Sequence, residues 1–274
     1  MTIRNLFYKI RFWLLGAPNT SKVKEPSEYG MHKDEYKMND VTIGPLPWYS
    51  SDYRRIYKKG TDPQFNWHCP WDYEGPKHSA RENLVFTKEG MNIICRKESG
   101  YGTLGILYSN FSLIYGIIRA KIKLPKVKGG WSAFWTFAGM PEYDILEHCG
   151  RWDNKITTTP HWGYDYSGPY GKKSTHYNRS TNRKFKPTEE YYIYELETTP
   201  YKVIWRINGR IVRVMKEGIQ TMPTNILFTV SKGDYCGSVP FGKLPADATM
   251  NVEWLKVYTR GDSKSEMINH PRLF

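Results

Sequence analysis

Long apolar runs and closely spaced cysteines are both lacking in this chain of 274 residues. The apolar run near the N-terminus, Phe12–Leu15, is too short for a signal peptide and far too short to span a bilayer. The four cysteines have no metal-binding or redox spacing and lie at Cys69, Cys95, Cys149 and Cys236. Their pairing cannot be deduced from the sequence, and free thiols are expected if the chain is made and kept in a cytosol.

Acidic residues are fewer than basic ones, 27 against 40, which leaves a net charge of +13. Such a balance is typical of proteins that meet nucleic acid, an anionic membrane or an acidic polymer. The chain has no zinc-finger, helix-turn-helix or RNA-binding signature, and its cations are scattered apart from short clusters such as Arg54–Lys59. A solvated basic surface is the favoured interpretation. No nucleic-acid partner is expected, and a sulfated or uronic glycan stays open.

Aromatic residues are abundant, at 15% of the chain, with 10 Trp and 21 Tyr. Their flat faces and polar edges suit stacking on sugar rings, and they suit protein interfaces equally well. Composition alone cannot choose between these two uses.

Residues 1–62 are predicted to form an N-terminal arm, because charged and aromatic residues alternate there with Gly and Pro and no strand pattern repeats. Within the arm, apolar residues recur at helical spacing, at Ile3, Leu6, Phe7, Ile10 and Leu14. The spacing predicts an amphipathic helix. That helix is expected to dock on a protein assembly, on a membrane surface or back on its own domain.

Residues 63–262 carry a dozen short β-type runs separated by turn residues, and residues 263–274 form a C-terminal tail. Many short strands with few helical stretches predict an all-β sandwich or barrel. Asn208-Gly209 predicts a two-residue hairpin turn, and the strand before it should bury Val203, Trp205 and Ile207. Residues 163–190 lack a pattern and are predicted to form a long surface loop.

The densest chemical signal is the run Pro141–His148, with three carboxylates in six residues. In a regular strand, Glu142 and Asp144 would share a face while Glu147 pointed the other way. One extra residue in a β-bulge between Asp144 and Glu147 would return Glu147 to the acidic face. The parity mismatch therefore predicts a bulge.

Glycosidic cleavage gives a reason to align carboxylates that otherwise repel one another. One carboxylate attacks the anomeric carbon, and a protonated carboxyl group donates to the leaving oxygen. A retaining pair needs its carboxyl groups about 5–5.5 Å apart. The Asp between two such residues can hydrogen-bond the nucleophile and tune both neighbours.

The pattern Glu-x-Asp-x-x-Glu resembles the signature of glycoside hydrolase family sixteen, in the bulged form of laminarinases, agarases and κ-carrageenases. Further segments are similar to family strands in the family's order, namely Tyr115–Pro125, Gly130–Trp135, His161–Gly163, Tyr194–Val212 and Asn251–Tyr258. The resemblance implies an antiparallel two-sheet jelly-roll sandwich with an open concave cleft. It covers about residues 63–260.

Residue by residue, the resemblance implies that Glu142 is the nucleophile, Asp144 the assisting acid and Glu147 the general acid/base. It also implies substrate-binding roles for four aromatic or imidazole side chains, Trp131, Trp135, His161 and Trp162. The chain departs from the family pattern at Arg119, Lys121 and Tyr143, where the family has Glu, Arg and Ile. Tyr143 is expected to face the hydrophobic layer, and Glu195 and Glu197 are expected to be solvated.

The favoured function is endo-hydrolysis of a β-1,3-glucan or a galactan with retention of configuration. The alternatives are an inert jelly-roll scaffold or glycan-binding component of an assembly such as a virus particle, and transglycosylation by the same acids. The substrate is expected to be an extracellular or cell-surface polysaccharide, and a particle that carries the protein is one way to reach it; the localisation itself stays open. No cofactor is required and no metal site is expected; a structural calcium ion is allowed but not indicated.

Overall fold

The computed structural model describes residues 3–24, 36–43, 67–68, 83–87, 89–97, 105–137, 141–162, 178–239, 244–260 and 268–269. These residues contain one α-helix, α1 (Ile3–Leu15), and sixteen β-strands. The strands are β1 (Tyr36–Ile43), β2 (Trp67–His68), β3 (Leu84–Thr87), β4 (Gly90–Cys95), β5 (Gly105–Leu113), β6 (Gly116–Lys123), β7 (Gly130–Phe137), β8 (Glu142–Cys149), β9 (Lys155–His161), β10 (Asn178–Thr181), β11 (Tyr192–Thr198), β12 (Val203–Ile207), β13 (Arg210–Met215), β14 (Thr224–Lys232), β15 (Ala248–Arg260) and β16 (Ile268–Asn269). The predicted boundaries at 62/63 and 262/263 lie outside the described residues.

The strands form two antiparallel sheets of eight strands each. The first runs β13-β12-β11-β6-β15-β4-β3, with β1 also paired to β15. The second runs β10-β9-β8-β7-β14-β5-β16, with β2 also paired to β5. Apolar side chains from both sheets pack into one core, in which Phe134 and Phe228 stack with ring centroids 4.4 Å apart. The expected antiparallel two-sheet jelly roll is confirmed.

The β12–β13 hairpin shows how local sequence sets this architecture. Asn208 and Gly209 both have positive φ, at 47° and 75°, and Ile207 pairs with Arg210 across the turn. Val203, Trp205 and Ile207 are almost fully buried. The predicted turn and buried face are both confirmed.

Four strands lie where the sequence predicts none, and two of them, β2 and β16, are only two residues long. β1 lies inside the predicted arm, and β10 lies inside the predicted loop of residues 163–190. β10 is the polar segment Asn-Arg-Ser-Thr, so it carries no alternation of apolar residues, and its extended form comes from pairing with β9. The expectation that neither segment contains a strand was wrong, because the partner strand supplies the backbone hydrogen bonds.

Glu195 corrects a second expectation, since it is fully buried rather than solvated. Its carboxylate lies 2.7 Å from Nη1 of Arg206 and 3.4 Å from Nε of Arg119. Arg206 also lies 2.6 Å from Glu197, whose side chain is only 12% exposed. Arg119 donates a further hydrogen bond to the Lys24 carbonyl, so the segment after α1 helps to cover this ion pair.

Candidate active site

The three acidic side chains lie on β8, and the strand is bulged between the last two of them. Asp144 and Glu147 are three residues apart, yet their partners on β9, Thr159 and Thr157, are only two apart. The pairing with β7 shifts at the same place. Ile145, inside the bulge, is buried in the core. The bulge predicted from the parity of the motif is confirmed.

With Glu147 returned by the bulge, six of the predicted site residues lie on the outer face of the second sheet. Directly paired residues of neighbouring strands share a face. Across β7, β8 and β9 the pairs on this face are Trp131–Cys149, Ala133–Glu147, Trp135–Asp144, Asp144–Thr159, Glu147–Thr157 and Glu142–His161.

Tyr143 points the other way, is fully buried and donates a 2.5 Å hydrogen bond to the Gly218 carbonyl. Its expected position in the hydrophobic layer is confirmed.

Glu142, Asp144 and His161 form the closest group within this face. Nε2 of His161 lies 3.1 Å from Oδ2 of Asp144 and 3.9 Å from Oε1 of Glu142. One ligand atom from each residue falls within 4.8 Å of the others, so the trio has the donor set and spacing to hold a divalent cation. The same geometry equally suits a hydrogen-bonded catalytic cluster, because two carboxylates and an imidazole exchange protons readily.

Burial and mutual repulsion raise the pKa values of two of the carboxyl groups. The pKa of Glu142 rises to about 8, chiefly because the group is buried and then because Asp144 is close. His161 opposes this rise. The pKa of Asp144 is raised well above its ordinary value, by burial first and then by Glu147. Strongly shifted carboxyl groups beside one another are typical of catalytic sites.

Glu147 is held by two hydroxyl groups that sequence reasoning did not single out. Thr159 donates a 2.7 Å hydrogen bond to Oε2 of Glu147, and Thr157 donates a weaker one of 3.3 Å to the same oxygen. Both threonines belong to the run Thr157–Thr159 on β9. The signal in the sequence was this polar run in an otherwise buried strand, adjacent to the acidic one.

The inner side of the bulge is supported by two core residues. Trp205 donates a 3.0 Å hydrogen bond through Nε1 to the Asp144 carbonyl and packs edge-on against Tyr143. Arg213 lies over the Trp205 ring and donates a 2.9 Å hydrogen bond to the Thr158 carbonyl. Burial lowers the pKa of Arg213 to about 10. These contacts fix β8 and β9 from behind at the level of the acids.

The predicted substrate-binding tryptophans separate into two groups. Trp131 and Trp135 are partly exposed on the acidic face, as alternation along β7 requires. Trp162 follows His161 and turns inward, where it packs against the core and over Gly218. The structure therefore gathers Trp131, Trp135 and His161 with the acids, and it does not place Trp162 among them.

A disulfide lies at the end of the same face. Cys149 is bonded to Cys236, with Cα atoms 4.9 Å apart, and Trp131 packs against the cluster that they form with Trp152. The ring of Tyr235 stands 6.0 Å from that of Trp131. Cys95 is a free, buried cysteine whose pKa is raised to about 11 by burial. The sequence left this pairing open, and Cys69 lies outside the described residues.

Comparison with known proteins gives one family and consistent structural neighbours. The family described as glycosyl hydrolases family 16 matches residues 73–256. Clotting factor G alpha subunit of Tachypleus tridentatus is 32% identical over 153 residues, which cover 51% of this chain and 22% of that protein. The chain thus matches less than a third of the length of its curated relatives.

Two solved structures show the likeness of the fold. The endo-1,3-beta-glucanase (laminarinase) catalytic domain from Thermotoga petrophila is 20% identical, with a TM-score of 0.58 over 88% of this chain and 94% of that one. A LamA variant from Z. galactanivorans, solved with laminaritriose and laminaritetraose, is also 20% identical, with a TM-score of 0.56 over 72% and 93% of the two chains.

Proposed function

The chain belongs to family 16 of the glycosyl hydrolases, and we propose that it cleaves internal β-linkages of a polysaccharide with retention of configuration. The observation that carries this proposal is the bulge in β8, which places Glu147 on the same face as Glu142 and Asp144. A sugar bound on that face would meet all three carboxyl groups. No structural need of the sheet explains such a concentration of acids.

In the proposed mechanism Glu142 is the nucleophile. Its carboxylate attacks the anomeric carbon, a covalent ester forms, and the bond to the leaving oxygen breaks. A nucleophile must be ionised, whereas burial and Asp144 raise the pKa of Glu142. Asp144 offers a solution because burial and the neighbouring Glu147 raise its own pKa well above the ordinary value, which favours a protonated Asp144. When Asp144 holds the proton, its repulsion of Glu142 is removed.

Glu147 is the proposed general acid/base. It donates a proton to the leaving oxygen in the first step and takes one from water in the second, when that water attacks the ester and frees Glu142. Thr159 and Thr157 both bind Oε2 of Glu147. They therefore fix the carboxyl plane and leave Oε1 available for the proton transfer.

We propose a β-1,3-glucan as the substrate, with a galactan as the alternative. The neighbouring structures support the first choice, since one is an endo-1,3-beta-glucanase and another was solved with laminaritriose and laminaritetraose. Trp131 and Trp135 offer faces on which sugar rings stack. Both rings lie on the acidic face of β7, with Trp135 opposite Asp144 and Trp131 beyond the pair Ala133–Glu147. We therefore propose that they bind sugars on either side of the scissile linkage.

The test is a panel of polysaccharides assayed by reducing ends, with Glu142→Gln and Glu147→Gln as site variants. Each substitution keeps the size of the side chain and removes its covalent or proton-transfer role, so turnover should fall about a thousandfold or more while the fold persists. Glu217→Gln, at an exposed carboxylate, is the matched control and should keep full activity. A Glu142→Gln/Glu147→Gln double variant with full activity would end the assignment.

Further measurements separate the proposal from its alternatives. Proton NMR of the first product from a β-linked substrate should show the β-anomer, and an initial α-anomer contradicts retention. Activity should survive EDTA, because no step uses a metal. Binding of glycans without cleavage of any of them would favour a glycan-binding scaffold, and longer products than substrates would favour transglycosylation.

A further inference from the structure

Helix α1 carries a continuous apolar stripe that points away from the domain. Its members recur every three or four residues, and they are between 42% and 89% exposed: Ile3, Leu6, Phe7, Ile10, Trp13 and Leu14. At 100° per residue this spacing places all six within about a third of the helix circumference. An exposed stripe of this length normally marks a binding surface.

The opposite face of α1 is anchored, so the stripe has a fixed orientation. Phe12 is fully buried, and its ring contacts that of Phe185 at 5.4 Å between centroids. The side-chain amide of Asn182 donates to the carbonyls of Phe12 and Trp13 at the end of the helix. Near its start, Asn5 accepts a 3.0 Å hydrogen bond from the backbone of Val214 on β13. The helix is thus already folded onto its domain, and that docking leaves the stripe outside.

Charge distinguishes the kind of partner that fits. The helix contains no acidic residue and three basic ones, Arg4, Lys9 and Arg11. On a helical projection Arg4 and Arg11 border one side of the stripe and Lys9 borders the other. The whole chain adds a net charge of +13. An apolar face with aromatic residues between flanking cations matches the boundary between anionic headgroups and acyl chains.

We propose that α1 seats this protein on the surface of a membrane that contains anionic lipids. The helix lies parallel to the membrane plane, the stripe enters the headgroup–acyl boundary, and the three cations contact lipid phosphates. Among the described residues, no helix has the length and apolar character needed to cross a bilayer.

This mode of binding leaves the acidic face uncovered. Helix α1 packs on β13 and β10, which are edge strands of the first and second sheets. β8, which carries the acids, lies two strands inward from β10. The membrane would therefore meet one edge of the sandwich, and the site would remain open beside it.

The experiment is co-sedimentation of the full chain with vesicles of phosphatidylcholine alone or with added phosphatidylserine. Wild-type protein should bind the phosphatidylserine vesicles, and Ile10→Ser with Trp13→Ser should weaken that binding about tenfold or more. Both positions are exposed, so the thermal midpoint should not change. Tyr201→Ser with Met222→Ser is the matched control, since it removes exposed apolar side chains outside the helix and should bind like the wild type.

Two double variants that reverse positive charges test the preference for anionic lipid. Lys9→Glu with Arg11→Glu should lose the preference for phosphatidylserine, whereas Lys97→Glu with Lys216→Glu, which makes the same change of charge at exposed positions elsewhere, should keep most of it. Equal binding of the helix variants and their controls would overturn the proposal. It would also be overturned if the wild type failed to bind vesicles and formed a dimer that the Ile10/Trp13 variant converted to monomer, because the stripe would then join two copies of the chain.

Discussion

The carboxyl groups of the three acidic residues on β8 are largely buried from solvent. These residues are Glu142, Asp144 and Glu147. The side chain of Glu142 is 22% exposed, and Asp144 and Glu147 are 5% and 6% exposed as residues. Burial of a charge is costly unless it is paired, and within the described residues only His161 brings an imidazole close to Glu142 and Asp144. Ionisation of these buried carboxyl groups therefore lowers the free energy of unfolding, compared with neutral side chains packed in the same positions.

Glu142→Gln should reveal this cost as a dependence of stability on pH. The folded-state pKa of Glu142 is about 8, above its ordinary value of 4.5, so folding takes up a proton between those two pH values. Stability from this group is fully present below pH 4.5 and is lost as the pH rises through 8. Glutamine stays neutral throughout. The variant should match the wild type in thermal midpoint near pH 4.5 and exceed it by several degrees at pH 9.

Thermal unfolding at both pH values, with Glu217→Gln as the control at an exposed carboxylate, checks this linkage. The control should differ from the wild type by the same small amount at both. A Glu142→Gln variant whose advantage does not grow with pH would show that Glu142 ionises in the folded state as easily as in water. Burial and repulsion would then not govern its pKa.

At the scale of the element, β8 depends on a single extra residue. Ile145 and Leu146 both point into the core, and this pair of neighbours on one side returns Glu147 to the outer face. Trp205 holds the Asp144 carbonyl at the start of the irregularity. The bulge thus joins core packing to the placement of Glu147, the proposed general acid/base.

Deletion of Ile145 should leave Glu147 on the outer face, because four regular steps from Glu142 preserve parity. The variant should keep measurable activity while losing about 2–5 kcal/mol of stability with the buried isoleucine. Deletion of both Ile145 and Leu146 is the matched comparison: it turns the glutamate inward and should abolish cleavage. Activity assays on both variants, with circular dichroism to verify folding, test the idea. Equal inactivity in two folded variants would contradict the parity argument.

Strands β8 and β11 show what the sequence could and could not predict. The bulge followed from counting residues, because period-two alternation is a local rule. The disulfide between Cys149 and Cys236 did not follow, because chain topology, and not spacing, brings the two cysteines together. Burial of Glu195 was missed for a similar reason, since its partners Arg119 and Arg206 come from two neighbouring strands.

Loss of the disulfide should destabilise the fold and loosen the packing of Trp131 against the cluster of Cys149, Trp152 and Cys236. The bond closes a loop with a sequence separation of 87 residues, for which chain entropy gives about 4.6 kcal/mol. We expect Cys149→Ser with Cys236→Ser to lower the thermal midpoint by about 10 °C. Reductant should lower the wild-type midpoint by a similar amount and leave the double variant unchanged. A wild-type midpoint insensitive to reductant would argue against the bond.

At the scale of the whole molecule, the predicted N-terminal arm is partly built into the jelly roll. Phe12 belongs to the core shared by both sheets, and β1 extends the first sheet by pairing with β15. Arg119, on β6, donates to the Lys24 carbonyl and ties the segment after α1 to the buried ion pair. None of these contacts involves the acids on β8. The segment is therefore positioned to affect stability without contacting the proposed catalytic acids.

Removal of residues 1–60 should separate these two properties. The acids and the tryptophans of β7 all lie beyond the deleted segment, so activity per folded molecule on a soluble oligosaccharide should stay within a few-fold of the full chain. Loss of Phe12 alone should cost about 3–5 kcal/mol, which lowers the thermal midpoint by about 10 °C in a domain of this size. Phe12→Ala in the full chain is the matched control, because it opens the same cavity and keeps β1. The difference between the two midpoints then measures what β1 and the remaining contacts of α1 and of the Lys24 segment contribute together. A truncated protein that keeps its midpoint but cannot cleave would place the N-terminal segment inside the active site.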